Sequence, residues 1–154
     1  MRNNRPEGLR TWIEIDKKTM RHNYQSFRKI LSPKTKLMAV VKSNAYGHSL
    51  VDFSHEITKL GADWLGVDSL VEGVRLREEG ITLPILVLGY TLPENFKEAV
   101  GKKISIGISS AEQIRELIRL KTPCAIHLKI DTGMHRQGFF LKDIPSAILQ
   151  LKKA

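Results

Sequence analysis

Residues 64–89, WLGVDSLVEGVRLREEGITLPILVLG, carry the pattern that decides the fold. Trp64-Leu65-Gly66-Val67 reads as a strand, Leu70 to Glu79 as a helix ended by Gly80, and Pro84-Ile85-Leu86-Val87-Leu88-Gly89 as a second strand. Strand, helix and strand in one short stretch make a βαβ unit, in which the strands lie parallel and the crossover is right-handed.

The same alternation extends in both directions. Upstream, Leu37-Met38-Ala39-Val40-Val41 is an unbroken apolar run of strand length, as expected of a strand covered on both faces. Leu50, Phe53, Ile57 and Leu60 mark a helix closed by Gly61. Further back, Met20, Tyr24, Phe27 and Leu31 share one helical face, and Ser32-Pro33 ends that helix. Thr11-Trp12-Ile13-Glu14-Ile15-Asp16 alternates apolar and polar residues and predicts a strand with one buried face. Downstream come a short helix over Pro93 to Val100, a strand over Ile104 to Ile108, and a helix capped by Ser109-Ser110 with Ile114, Leu117 and Ile118 as its buried stripe. Ala125-Ile126-His127-Leu128-Lys129-Ile130 is the fifth interior-type run, and Ile144, Ala147, Ile148 and Leu151 outline a last helix. The fold class is α/β with a parallel sheet, and the pattern fits an open doubly wound sheet and a barrel segment equally. No GxGxxG follows the first strand and no GxxxxGK[ST] occurs, so the dinucleotide and P-loop readings lose their support.

Composition narrows the function classes. The 154 residues include 25 Lys and Arg against 16 Asp and Glu, a net charge of +9, with 42% hydrophobic residues. The basic residues are scattered as pairs such as Lys17-Lys18, Arg28-Lys29 and Lys102-Lys103, interleaved with acids, and no aromatic-rich basic stretch offers a stacking platform. A solvated surface is the expectation, with no nucleic-acid partner. No apolar run approaches the roughly 20 residues of a membrane span, and MRNNRPEGLR has no apolar core for a signal peptide, so a cytoplasmic location is expected and no membrane partner. The single Cys124 excludes an intramolecular disulfide framework and a cysteine-cluster metal site. The length suits one domain and falls short of the roughly 250 residues of a closed (β/α)8 barrel.

In parallel α/β folds, ligands sit at the carboxyl ends of the strands. Lys42 directly follows the Leu37–Val41 run, where partial desolvation and neighbouring cations make a lysine nucleophilic; the alternative is a snorkelling surface lysine. Lys42-Ser43-Asn44-Ala45-Tyr46-Gly47-His48 places an amide, a phenol and an imidazole close behind it. After the fifth run stands Lys129-Ile130-Asp131-Thr132-Gly133-Met134-His135-Arg136, where the glycine permits tight reversal and the arginine could hold a carboxylate or phenolate by two hydrogen bonds.

Together, VVKSNAYGH after the Leu37–Val41 run and KIDTGMHRQG after the fifth resemble the two signature segments of the N-terminal half of alanine racemase, a pyridoxal-phosphate enzyme of the barrel type. The resemblance runs from Thr11 through at least Phe139. It implies the N-terminal part, about five strands, of a parallel (β/α)8 barrel. Residues 1–16 would form an extension and strand joining a C-terminal β domain, and residues 17–154 a partial cofactor-binding barrel. It also implies that Lys42 is the Schiff-base lysine and the base that exchanges the α-proton on the D-face of alanine. Tyr46 would pack by the cofactor near its phosphate. Arg136 would contact the cofactor's phenolic oxygen and the substrate carboxylate, and Lys129 would be the lysine that many members carry as a carbamate, the alternative being an ion pair with an acid. His48 is expected to hold its loop, and His135 stands where many relatives carry a small residue. Two departures stand out. Ser49 replaces the glycine of NAYGHG, with a small effect expected because serine caps helices well. The chain also stops where family members continue into the half that supplies most of the phosphate site, the arginine at the pyridine nitrogen and the opposite-face tyrosine. The expectation is therefore a racemase of L- and D-alanine, feeding peptidoglycan and dimeric at full length, here truncated and inactive alone. The alternatives are a non-catalytic fragment or cofactor-binding barrel protein, or a serine or broad-specificity racemase.

Overall fold

The computed structural model describes residues 8–152. Five strands, β1 (Met38–Val40), β2 (Trp64–Val67), β3 (Ile85–Val87), β4 (Ser105–Ile108) and β5 (Ile126–Leu128), form one parallel sheet in the order β1-β2-β3-β4-β5. The register sets Val40 beside Gly66, Leu65 beside Ile85, Val87 beside Ile106, and Ile106 beside Ile126. Each strand pairs with its sequence neighbour, with no reversal of order of the kind a doubly wound sheet has at its switch point. The sheet is also curled. Strands three apart in a flat sheet are separated by about 14 Å, yet the rings of Trp64 on β2 and His127 on β5 meet edge to face with centroids 5.5 Å apart. Sequential order and curvature together make this a barrel wall.

Helices α1 (Lys17–Ile30), α3 (Leu50–Lys59), α4 (Leu70–Glu78), α5 (Phe96–Gly101), α6 (Ala111–Leu120) and α7 (Ile144–Leu151) alternate with the strands, and α2 (Lys42–Tyr46) is a single turn directly after β1. The caps follow from local chemistry. Asp16 accepts from the N–H groups of Lys18 and Thr19 at the start of α1, and Ser69 and Glu72 form a reciprocal capping box at the start of α4. Alternate residues of the central strands, Leu65 and Val67, Ile85 and Val87, Ile106 and Ile108, are completely buried, and Leu76, Phe96, Ile104 and Ile114 pack with them into one core. Truncating one of these to alanine costs about 2–5 kcal/mol.

Four expectations are corrected. Residues 11–16 form no strand: a strand needs a ladder partner, none pairs with this segment among the described residues, and Ile13 stands exposed. Residues 1–7 of the expected extension lie outside the described residues. β1 is not covered on both faces; it is the first strand of the sheet, and Val40 is 40% exposed. Phe27 and Ile148 leave their expected stripes for solvent, because α1 buries Met20 and Tyr24 and α7 buries Ala147. Finally, the fifth strand ends at Leu128, and Ile130 instead forms an isolated parallel bridge with Phe139.

Candidate functional site

The carboxyl end of the wall gathers the chemistry. Lys42, which follows Val41 off β1, sets its Nζ 3.3 Å from Asp68 Oδ1 at the end of β2. The lysine side chain is 29% exposed and the carboxylate 56%. A pair this wet contributes about 1 kcal/mol or less to stability, so its effect is to orient the amine.

The chain leaves Lys42 through an unusual backbone. Ser43, Asn44, Ala45 and Tyr46 all adopt left-handed conformation, with φ of 54°, 56°, 51° and 53°. For residues other than glycine this costs about 1–2 kcal/mol each, so the surroundings must impose it. Glu72 Oε1 accepts from the N–H groups of Ser43 at 2.7 Å and Asn44 at 3.4 Å. Ala45 is buried and donates its N–H to Val41 O at 2.8 Å, while Asn44 Oδ1 accepts from Leu50 N at 2.8 Å. His48 Nδ1 lies 2.9 Å from Ala45 O, a contact that requires the proton on that nitrogen, and its ring packs against Phe53. His48 thus ties down its own loop. Tyr46, 62% exposed, projects from the turn. Ser49 does not cap α3: its hydroxyl donates to Asp52 at 2.7 Å, Asn44 takes the cap, and Ser49 sits at φ 71°, in territory that favours the glycine it replaces.

After β5 the chain makes a loop closed at its base. Phe139 N donates to Lys129 O and Asp131 N to Phe139 O, both at 2.9 Å. Gly138 makes this possible: at φ +126° it passes so close that a Cβ would lie 2.7 Å from Asp131 N. Asp131 Oδ1 accepts from Gly133 N and His135 N at 3.0 Å each. These amides, Gly133 foremost, hold the Asp131 carboxyl below the usual carboxylate range. Gln137 Nε2 donates to Leu88 O at 3.3 Å, bringing the loop to the carboxyl end of β3. Arg136 is exposed and has no ion-pair partner among the described residues; nor does the amine of half-buried Lys129 meet a carboxylate among them.

Lys42, Tyr46, Lys129 and Arg136 therefore share the carboxyl end of the sheet, the first two on the turn after β1 and the last two in the segment after β5. Sequence reasoning missed Asp68, Glu72 and Gln137. The first two were within reach, since Asp68 ends an apolar run and Ser69-Leu70-Val71-Glu72 is a capping-box pattern; their nearness to Lys42 depends on β1 and β2 being neighbours. A separate concavity of about 590 Å³, lined by apolar residues including Met20, Phe27, Val40 and Phe53, lies between α1 and β1 and contains none of these four residues. An amine held beside a carboxylate, with a phenol and a free guanidinium on the same rim, suits an anionic carbonyl compound: the amine can attack the carbonyl carbon, and the cation and hydroxyl can hold anionic oxygens.

Residues 15–154 match the family described as alanine racemase, N-terminal domain. The chain is 43% identical over 134 residues to alanine racemase of Synechocystis sp., an alignment covering 84% of this chain and 36% of that protein. It superposes on alanine racemase of Clostridium difficile 630 with a TM-score of 0.89 and 35% identity, covering 96% of this chain and 40% of that one. A histidine racemase of Leuconostoc mesenteroides is also similar, with a TM-score of 0.82 and 28% identity over 88% of this chain and 38% of that one. The chain thus spans well under half the length of these relatives.

Proposed function

Because the chain belongs to the alanine racemase family through its N-terminal domain, we propose that it supplies the lysine-bearing wall of a pyridoxal-phosphate-dependent amino-acid racemase that interconverts L- and D-alanine. The observation that carries this reading is the Lys42 amine at the carboxyl end of β1, oriented by Asp68 at 3.3 Å, in a chain of this family. The donor set fits the cofactor: a primary amine for its carbonyl carbon, and a phenol and a guanidinium on the same rim for its anionic oxygens.

Pyridoxal phosphate, when bound, supplies the electron sink without which an amino-acid α-proton is too weakly acidic for a side chain to remove. Lys42 would hold the cofactor through Nζ and, once the substrate's amine has taken its place and freed it, would take and return the α-proton on one face of alanine. Tyr46 would pack near the phosphate. Arg136 would hold the substrate carboxylate and the cofactor's phenolic oxygen, for which its guanidinium is free. Lys129, as a carbamate, orients Arg136. Inversion needs a positioned group on each face, and the second comes from outside these residues, together with most of the phosphate site. Residues 17–154 form the barrel portion and residues 1–16 the segment that joins a C-terminal β domain, in a cytoplasmic homodimer serving peptidoglycan synthesis. The likeness to a histidine racemase supports a second reading, a racemase of another amino acid.

The test is to mix the chain with pyridoxal phosphate, reduce with borohydride and map the phosphopyridoxyl mass. The label is expected on the peptide containing Lys42 and absent from Lys42→Ala. Labelling spread evenly over the surface lysines refutes the assignment.

A further inference from the structure

We propose that Glu72 is a positioning residue for Lys42, setting both the backbone of its turn and the carboxylate that faces its amine. This rests on the reading of Lys42 as the cofactor-bearing lysine. The Glu72 carboxylate is shared between two βα units. Oε1 accepts from Ser43 N at 2.7 Å and Asn44 N at 3.4 Å, and Oε2 accepts from Asp68 N at 2.8 Å and Ser69 N at 3.4 Å. Ser43 is the residue after Lys42, and Asp68 is its ion-pair partner. One side chain thus fixes the backbone on both sides of the lysine–carboxylate contact.

A helix cap alone does not explain this arrangement. The reciprocal capping box with Ser69 uses Oε2, whereas Oε1 is directed at a different segment, 28 and 29 residues earlier. That segment needs it. Successive left-handed residues turn their N–H groups toward one side, forming a concavity that calls for an anionic acceptor, and a carboxylate there makes the stronger, charge-assisted kind of hydrogen bond. Without that acceptor the left-handed turn has two unpaired donors and loses an anchor, and the lysine it aims loses a defined position.

Glutamine is nearly the same shape but presents one oxygen and one NH2, so it cannot accept on both sides at once. In the 154-residue chain, Glu72→Gln is expected to lower the share of phosphopyridoxyl label on Lys42 after borohydride reduction about fivefold or more, and to speed amide exchange at Ser43 and Asn44 about tenfold, with far-UV circular dichroism unchanged. Glu72→Asp, too short to span the two segments, should act in the same direction and serves if the glutamine variant does not fold. Ser69→Ala removes the other half of the capping box without touching the Lys42 turn; it should lower thermal stability and leave both readouts as in the wild type. Equal labelling and equal exchange in the wild type and Glu72→Gln overturn the proposal while leaving Lys42's role intact. Equal losses in Ser69→Ala and Glu72→Gln also overturn it, reducing Glu72 to a cap. A wild-type chain with no preference for Lys42 overturns the underlying reading and this proposal with it.

Discussion

Trp64 and His127 meet edge to face at 5.5 Å although two strands lie between them. Only a sheet curled toward closure brings these side chains together, and the contact in turn props the curve. A double-mutant cycle with Trp64→Leu and His127→Leu, followed by denaturant unfolding, should give a coupling energy of about 0.5–1.5 kcal/mol. Additive effects would show that the pair is incidental to the curvature.

Asn44 does two tasks at once, tolerating left-handed backbone and capping α3 through Leu50 N. Asn44→Ala loses both and should destabilise by about 2 kcal/mol; Asn44→Gly loses only the cap and should cost about 1 kcal/mol. Urea midpoints of the two variants settle the order, and equal values would contradict the role of the backbone.

Gly89 follows β3 so closely against β2 that a Cβ would stand 2.3 Å from Asp68 O, and it also donates its N–H to that oxygen at 3.1 Å. Gly89→Ala must push the Asp68 segment away, with an expected loss of about 3 kcal/mol or more. The displacement reaches the partner of Lys42, so the variant should also label less selectively at that lysine. A thermal midpoint within a degree or two of wild type would show that the close approach is readily relieved.

The loop bearing Arg136 is tied at Asp131 by hydrogen bonds that favour the charged carboxylate. Its pKa in the folded loop therefore lies below the ordinary 3.8. A depressed pKa means that this stabilisation is fully present above pH 3.8 and is lost as pH falls through the lower, folded value. Gly133 and His135 amide protection, followed by NMR, should hold above that range and fall in stronger acid; Asp131→Asn should lack the acid step. Protection that ignores acid in the wild type would rule out the tie.

The sequence made the alternation of strands and helices legible because strands β2 to β4 are apolar but for Ser105 and the helices carry clear stripes and caps. Two of its errors fall where the sheet has no neighbour to offer among the described residues. Thr11–Asp16 alternates like a strand but finds no ladder among the described residues, and β1 reads as interior while Val40 stands in the open. At the site, Lys42 and Arg136 were visible as functional types at strand ends. The left-handed path of Ser43–Tyr46 was not, since nothing in that stretch but Asn44 favours positive φ. Part of its support comes from another unit, where Glu72 accepts from Ser43 N and Asn44 N, a relation that exists only once β1 and β2 are side by side.

The strict order of the strands also bears on how the molecule is made. With β1 to β5 arranged as they are encoded, each strand leaving the ribosome meets a growing edge that its predecessor has just completed, and none has to be threaded between two finished neighbours. Every pairing is with the adjacent unit, such as Met38 with Trp64 and Ile106 with Ile126, which keeps contact order low for a parallel sheet. Synthesis can lay down the wall one βα unit at a time, and the turn bearing Lys42 gains its anchor as soon as the second unit, with Glu72, has emerged.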